Sequence, residues 1–237
     1  MERFWSKDVA YINMFSGSHL FYILIFIICL IGLIYFRQSI RLKPNAWRFT
    51  ILGVSIFQQI LLYTWYVDQW GFPLSDALPL HISRISSFLG IWYLITLDKK
   101  VMDVMGYFSM FAYLSFLAPA QIHPPYHAIG WSFLINHVIT ILLPYFASIA
   151  YNWYPTKDSL KKSFVWLVIY TGVVLIINPI VGGNYFYLTQ KPLAIWQPIP
   201  LVIYVPLMLL GSLILLHLYY YGFNFVRNYF RKREDGE

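Results

Sequence analysis

Cysteine is almost missing from this sequence. Cys29 is the only one in 237 residues, so the chain cannot form an internal disulfide or a cysteine-based metal centre. Charge is also scarce. Asp, Glu, Lys and Arg make up 11% of the chain, against about 25% in soluble domains. No HExxH motif occurs, and no carboxylate adjoins a histidine within an apolar run, so we expect no metal site. The G-x-S-x-G elbow, the phosphate-binding loop and the dinucleotide fingerprint are absent too. We expect no cofactor.

What is present is apolar and aromatic. Hydrophobic residues reach 59% and aromatics 20%, and the mean hydropathy is +0.59. These values exclude an ordinary soluble domain and suit a chain with interfacial belts of Trp and Tyr. Seven stretches approach the roughly 20 residues a helix needs to cross the hydrocarbon core: 19–36, 49–66, 78–97, 101–118, 128–150, 164–181 and 199–221. The fourth is the weakest, diluted by Tyr, Ser and Gly. Pro144 and Pro206 can kink the fifth and seventh.

The basic residues divide unevenly among the connections. Thirteen fall on one side: Arg37 to Arg48, Lys99 and Lys100, Lys157 to Lys162, and Arg227 to Arg233. Only Arg3, Lys7 and Lys191 fall on the other, and Arg84 lies inside a stretch. By the positive-inside rule the N-terminus is outside and the C-terminus cytoplasmic. Topology thus accounts for the net charge of +7 without nucleic acid. The expected architecture is an all-α polytopic bundle of seven transmembrane helices in the cell membrane. Residues 1–18 form an interfacial segment, 19–221 the membrane domain and 222–237 a cytoplasmic tail. No signal peptide is evident in the mixed first 17 residues.

The third stretch opens Leu78-Pro79-Leu80-His81-Ile82-Ser83-Arg84. His81 and Arg84 at i and i+3 share one face of a helix. Ionisable groups at membrane depth are costly and usually face a bundle interior or a watery cavity. With this topology His81, Arg84, Asn136, His137, Asn178 and Asn184 all fall in the outer half of the bundle. They are the candidate site residues, with Asp68 or Asp76 as counter-charge to Arg84. Gln58 and Gln59 read as interhelical hydrogen-bonders. His123 and His127, in a Pro-rich loop, read as solvated, and His19 and His217 as interfacial.

Three motifs carry a family resemblance: Leu78-Pro79-Leu80-His81, Asn136-His137, and the segment from Asn184 to Pro192. In order and position they resemble the YwaF-like bacterial integral membrane proteins. That family is similar to a eukaryotic membrane acyltransferase that places polyunsaturated acyl chains on ether lysophospholipids. The resemblance implies lipid acyl transfer, with His81 and His137 catalytic. It also implies a cysteine near the third-span histidine, where this chain has Leu80. Arg84, Asn136, Asn178 and Asn184 are the substrate-binding candidates for a membrane lipid. The competing readings are a transporter or lipid-handling protein without covalent chemistry, and a sensor or partner subunit of a membrane complex.

Overall fold

The computed structural model describes residues 2–235, and every regular element among them is helical. Five helices are long and apolar enough to cross a membrane: α2 (Gly17–Tyr35), α4 (Pro44–Trp70), α8 (Ala128–Tyr151), α9 (Lys157–Val181) and α10 (Leu201–Asp235). Shorter helices complete the chain: α1 (Glu2–Trp5), α3 (Arg37–Leu42), α5 (Ile82–Thr96), α6 (Lys99–Phe108) and α7 (Met110–Leu117). Two 3-10 turns lie between α9 and α10.

Local sequence sets the helix ends. Ser16 caps α2 by accepting from the His19 N–H, and Asp98 caps α6 through the Lys100 N–H. Thr156 and Ser159 form a reciprocal capping box at the start of α9, which satisfies backbone donors that a helix start leaves open. Gly71 and Gly182 end α4 and α9 in the left-handed conformation that suits glycine.

Two of the seven expected spans differ from the simple reading. The third begins at Ile82, not Leu78, and has 15 residues. His81 is extended, with φ −66° and ψ 134°. His81 is therefore the residue that precedes the helix, while Arg84 lies in its first turn. The fourth comes out as α6 and α7, meeting at Ser109. The Ser109 hydroxyl donates to the Gly106 carbonyl at 2.6 Å, a local bond that competes with the helical ladder and bends it. Helix α9 runs through Asn178-Pro179 and continues to Val181.

Helix α8 is the hub. It packs against α2, α4, α5 and α7 and buries Leu134, Val138, Ile141, Leu143 and Phe146. Its first turn admits no side chain at Gly130: a Cβ there would lie 2.2 Å from the Pro124 carbonyl oxygen and 2.4 Å from the Tyr22 hydroxyl. That close approach lays the 119–127 loop over the helix. The outward faces carry exposed Leu24, Ile28, Ile60, Trp92, Ile176, Leu210 and Leu218. Apolar faces of this extent are what a lipid environment covers.

The N-terminal segment crosses the α4 and α8 ends of the bundle. The Trp65 indole donates to the Trp5 carbonyl at 2.8 Å, and the Trp5 indole donates to Asp68 at 2.7 Å. The Ile12 N–H donates to the Ile122 carbonyl at 2.8 Å.

Candidate functional site

The loop between α4 and α5 is built around one carboxylate. Asp76 Oδ1 lies 2.7 Å from His81 Nε2, and the Tyr66 hydroxyl donates to its Oδ2. Arg84 approaches the same oxygen at 3.7 Å. Its guanidinium also donates to the Asp76 and Leu78 carbonyls and to the Tyr66 hydroxyl, and it stacks 5.0 Å from the Tyr66 ring. Arg84 is thus largely engaged in holding the loop that presents Asp76. Burial pushes the Asp76 carboxyl up, but the His81 hydrogen bond, the Arg84 charge and the Tyr66 hydroxyl outweigh it. The net effect holds the group below the usual carboxylate range.

With Asp76 ionised, the bond fixes the His81 tautomer. Nε2–H donates to the carboxylate, and Nδ1 is left as an acceptor. His137 reaches an equivalent state by another route. Its Nδ1–H donates to the Phe133 carbonyl at 2.8 Å in the preceding turn, which leaves Nε2 as an acceptor. Both imidazoles therefore carry a lone pair suited to taking a proton.

Both line one cavity of about 410 Å³, together with Arg84, Asp76, Asn136 and His123. Asn136 is 7% exposed and its Oδ1 is buried without a hydrogen-bond partner. Buried amides are normally satisfied, so an unpaired one on a cavity wall is available to a ligand. Deeper, Gln58 donates to Ser132 at 2.8 Å. Gln59 donates to Gln58 at 2.7 Å and to Ser87 at 2.8 Å. These bonds tie α4, α5 and α8 together beneath the cavity.

The other two candidates stand elsewhere. Asn178 is 3% exposed and holds both backbone groups of Tyr185: Oδ1 accepts from N–H at 2.9 Å and Nδ2 donates to the carbonyl at 3.0 Å. Tyr185 in turn packs edge-on to His81, with ring centroids 4.8 Å apart. Its hydroxyl donates to the Leu74 carbonyl at 2.7 Å and accepts the Leu78 N–H at 3.1 Å. Asn178 therefore acts on the cavity through Tyr185. Asn184 closes its own turn through Thr189 and Gln190 and does not line the cavity.

Two histidines expected in solvent are buried. His123 and His127 stack with centroids 4.3 Å apart, and the Trp65 ring packs edge-on against both. His127 Nε2–H donates to the Ser6 carbonyl at 2.8 Å, and its Nδ1 accepts from the Ile129 N–H. Burial, and then the neighbouring His127, push His123 down to about 4. His19 is likewise buried, its Nε2 lying 2.7 Å from the Phe116 carbonyl. The signal for the loop pair was the i, i+4 spacing next to Trp-rich helix ends, which composition alone reads as a wet loop.

The sequence from residue 14 to residue 223 matches the model of the TMEM164 family. The chain belongs to the TMEM164 family. No curated protein and no solved structure matches the chain. The match in this TMEM164-family protein runs from just before α2 into the last helix, so Asp76, His81, Arg84, Asn136 and His137 all lie inside it. Family membership and the apolar helices together make it a multi-pass membrane protein.

Proposed function

We propose that this protein is a lipid acyltransferase whose cavity opens to the outer half of the cell membrane. The observation that carries the reading is the pairing of His81 with Asp76 on a cavity that His137 and the unpartnered Asn136 also line. The three motifs described above support the same chemistry. The uneven distribution of Lys and Arg supports seven crossings, an outer N-terminus and a cytoplasmic C-terminus.

In this reading His81 Nδ1 takes the proton from a lysophospholipid hydroxyl as the hydroxyl oxygen attacks the carbonyl carbon of a donor lipid ester. Asp76 stabilises the imidazolium that forms. The Asn136 Nδ2–H donates to the developing oxyanion, while its unpartnered Oδ1 remains an acceptor for the bound lipid. The ester C–O bond of the donor then breaks, and the proton passes from His81 to the departing oxygen. The single proton passes through His81, and the His137 Nε2 is the second acceptor on the cavity, positioning the bound lipid. Arg84 is a positioning residue for Asp76. The transfer is direct from ester to hydroxyl, since Leu80 precedes His81 and Cys29 is not among the cavity residues.

The test is a lipidomic comparison of cells carrying the wild-type protein, His81→Ala or His137→Ala at matched expression. The expected result is a changed acyl distribution in lysophospholipid-derived species in both variants. Identical acyl profiles in all three strains would sink the proposal.

A further inference from the structure

A second cavity, of about 460 Å³, lies between α9 and α10. It sits at the end of the bundle opposite the first one: the first is bounded by the last residue of α4 and the first turn of α8, whereas Lys157 begins α9 just after α8 has ended. Its volume is in the range of small-molecule sites. One end is cationic. Lys157 and Lys161 stand at i and i+4 on one face of α9. The third lysine of this turn, Lys162, pairs with Asp158 at 2.6 Å, so the acidic residue of the same turn is already engaged. Among the described residues no carboxylate lines the groove. The start of α9 adds the positive end of the helix dipole.

The rest of the groove is apolar. Phe164 and Val165 of α9 face Leu213 of α10 along it. Val165 is 56% exposed and the neighbouring surface carries exposed Trp166 and Ile169, so the groove opens sideways onto the apolar surface of the bundle. His217 and Tyr221 stand on the α10 wall. The His217 Nδ1–H donates to the Leu213 carbonyl at 2.9 Å, which leaves Nε2 open to a hydroxyl of a headgroup. A cationic end joined to an apolar trough that opens towards lipid matches one kind of molecule. A free anion leaves the trough uncovered, and a soluble acidic peptide has no route through the apolar side.

We propose that the groove between α9 and α10 binds one anionic phospholipid, its phosphate held by Lys157 and Lys161 and one acyl chain lying along Phe164, Val165 and Leu213. Basic pockets between transmembrane helices are a recurring form of anionic lipid recognition. The site is separate from the His81 cavity and does not depend on its chemistry.

The test uses the purified full-length protein in detergent micelles doped with dioleoyl phosphatidylglycerol or dioleoyl phosphatidylcholine, read by native mass spectrometry and thermal stability. The expected result is one phosphatidylglycerol retained per chain in preference to phosphatidylcholine, with a rise in melting temperature. Inorganic phosphate at the same concentration gives no rise. The double variant Lys157→Gln/Lys161→Gln weakens phosphatidylglycerol binding about tenfold or more, leaves phosphatidylcholine unchanged and keeps the lipid-free melting temperature. Lys157→Arg/Lys161→Arg retains the preference. Leu213→Trp, which fills the trough with both lysines in place, also lowers phosphatidylglycerol retention. Equal retention of the two lipids by the wild type, undiminished phosphatidylglycerol retention in the Gln variant, or a thermal rise with phosphate alone would overturn the proposal.

Discussion

Replacing Arg84 with leucine isolates the contact that holds the α4–α5 loop. The side chain is 12% exposed, and its guanidinium donates to two loop carbonyls and to the Tyr66 hydroxyl while approaching Asp76. Leucine restores none of these donors. It leaves the Asp76 carboxylate with His81 and Tyr66 but without its cation. Each hydrogen bond to a charged group contributes about 1.5–3 kcal/mol, and such bonds around one group do not add. The pair is only half-buried, since the Asp76 side chain is 51% exposed, so the loss stays below the roughly 3–5 kcal/mol of a fully buried pair. We therefore expect Arg84→Leu to lose about 2–3 kcal/mol at neutral pH, which for a chain of this size lowers the melting temperature by about 5–10 °C. Arg84→Lys keeps the charge but not the planar fork, and falls between. The pH dependence adds a second check. The Asp76 carboxyl is held below its ordinary value of 3.8 in the folded protein. Its stabilisation is complete above that pH and is lost as pH falls through the folded value. In Arg84→Leu the depression shrinks, so the gap to wild type is full above about pH 4 and narrows below it. Thermal denaturation of purified protein between pH 3 and pH 7 measures both effects. A variant within 0.5 kcal/mol of wild type at pH 7 (about ±0.5 being the usual span of surface changes) would refute the account of Arg84.

Two further outcomes follow from other contacts. His123 is held neutral with its group pushed down to about 4 from 6.5. The unfolded loop takes the proton first, so the stability of the 119–127 loop is whole above about pH 6.5 and declines towards pH 4, by at most about 3 kcal/mol. Hydrogen-exchange protection of this loop and of residues 6–12 should fall between pH 7 and pH 5 in the wild type and less steeply in His123→Gln, where His127, also pushed down by burial, still titrates; equal slopes in the two would contradict the assignment. Asn178→Ala leaves the Tyr185 N–H and carbonyl unpaired in a buried turn, costing about 2–4 kcal/mol, and loosens the ring that packs on His81. A melting temperature equal to wild type would show that these backbone groups find other partners.

The parts of this architecture that were legible in the sequence are those set by long apolar runs and local punctuation. The helices α2, α4, α8, α9 and α10 each follow a long run bounded by residues such as Ser16, Pro44, Gly71, Thr156 and Gly182. The third and fourth runs show where hydropathy stops being informative. The extended backbone of His81 puts the start of α5 at Ile82, and the Ser109 hydroxyl bends the next helix, both through backbone geometry that a hydropathy window averages away. His81, Arg84, Asn136 and His137, grouped in the sequence by expected depth, line one cavity. Direction was not legible. Asn178 was grouped with them, but its amide turns towards the Tyr185 backbone, because a chain reversal there leaves two buried backbone groups to satisfy. The engagement of Arg84 with the loop carbonyls was equally hidden, since it depends on where residues 76–78 fold back. The burial of His123 and His127 depends on the N-terminal segment crossing the loop, a contact between residues more than a hundred positions apart.

The central claim is that His81, supported by Asp76, and His137 carry acyl transfer in one cavity. It is tested most directly with purified protein in vesicles containing a phospholipid donor with an isotope-labelled acyl chain and an ether lysophospholipid acceptor. The account predicts that the wild type moves the label onto the acceptor, that His81→Ala reduces the rate by about 10²–10⁴-fold, that His137→Ala also reduces it, and that Asp76→Asn reduces it with the fold retained. No transfer by well-folded wild-type protein, or wild-type rates in both histidine variants, would contradict it.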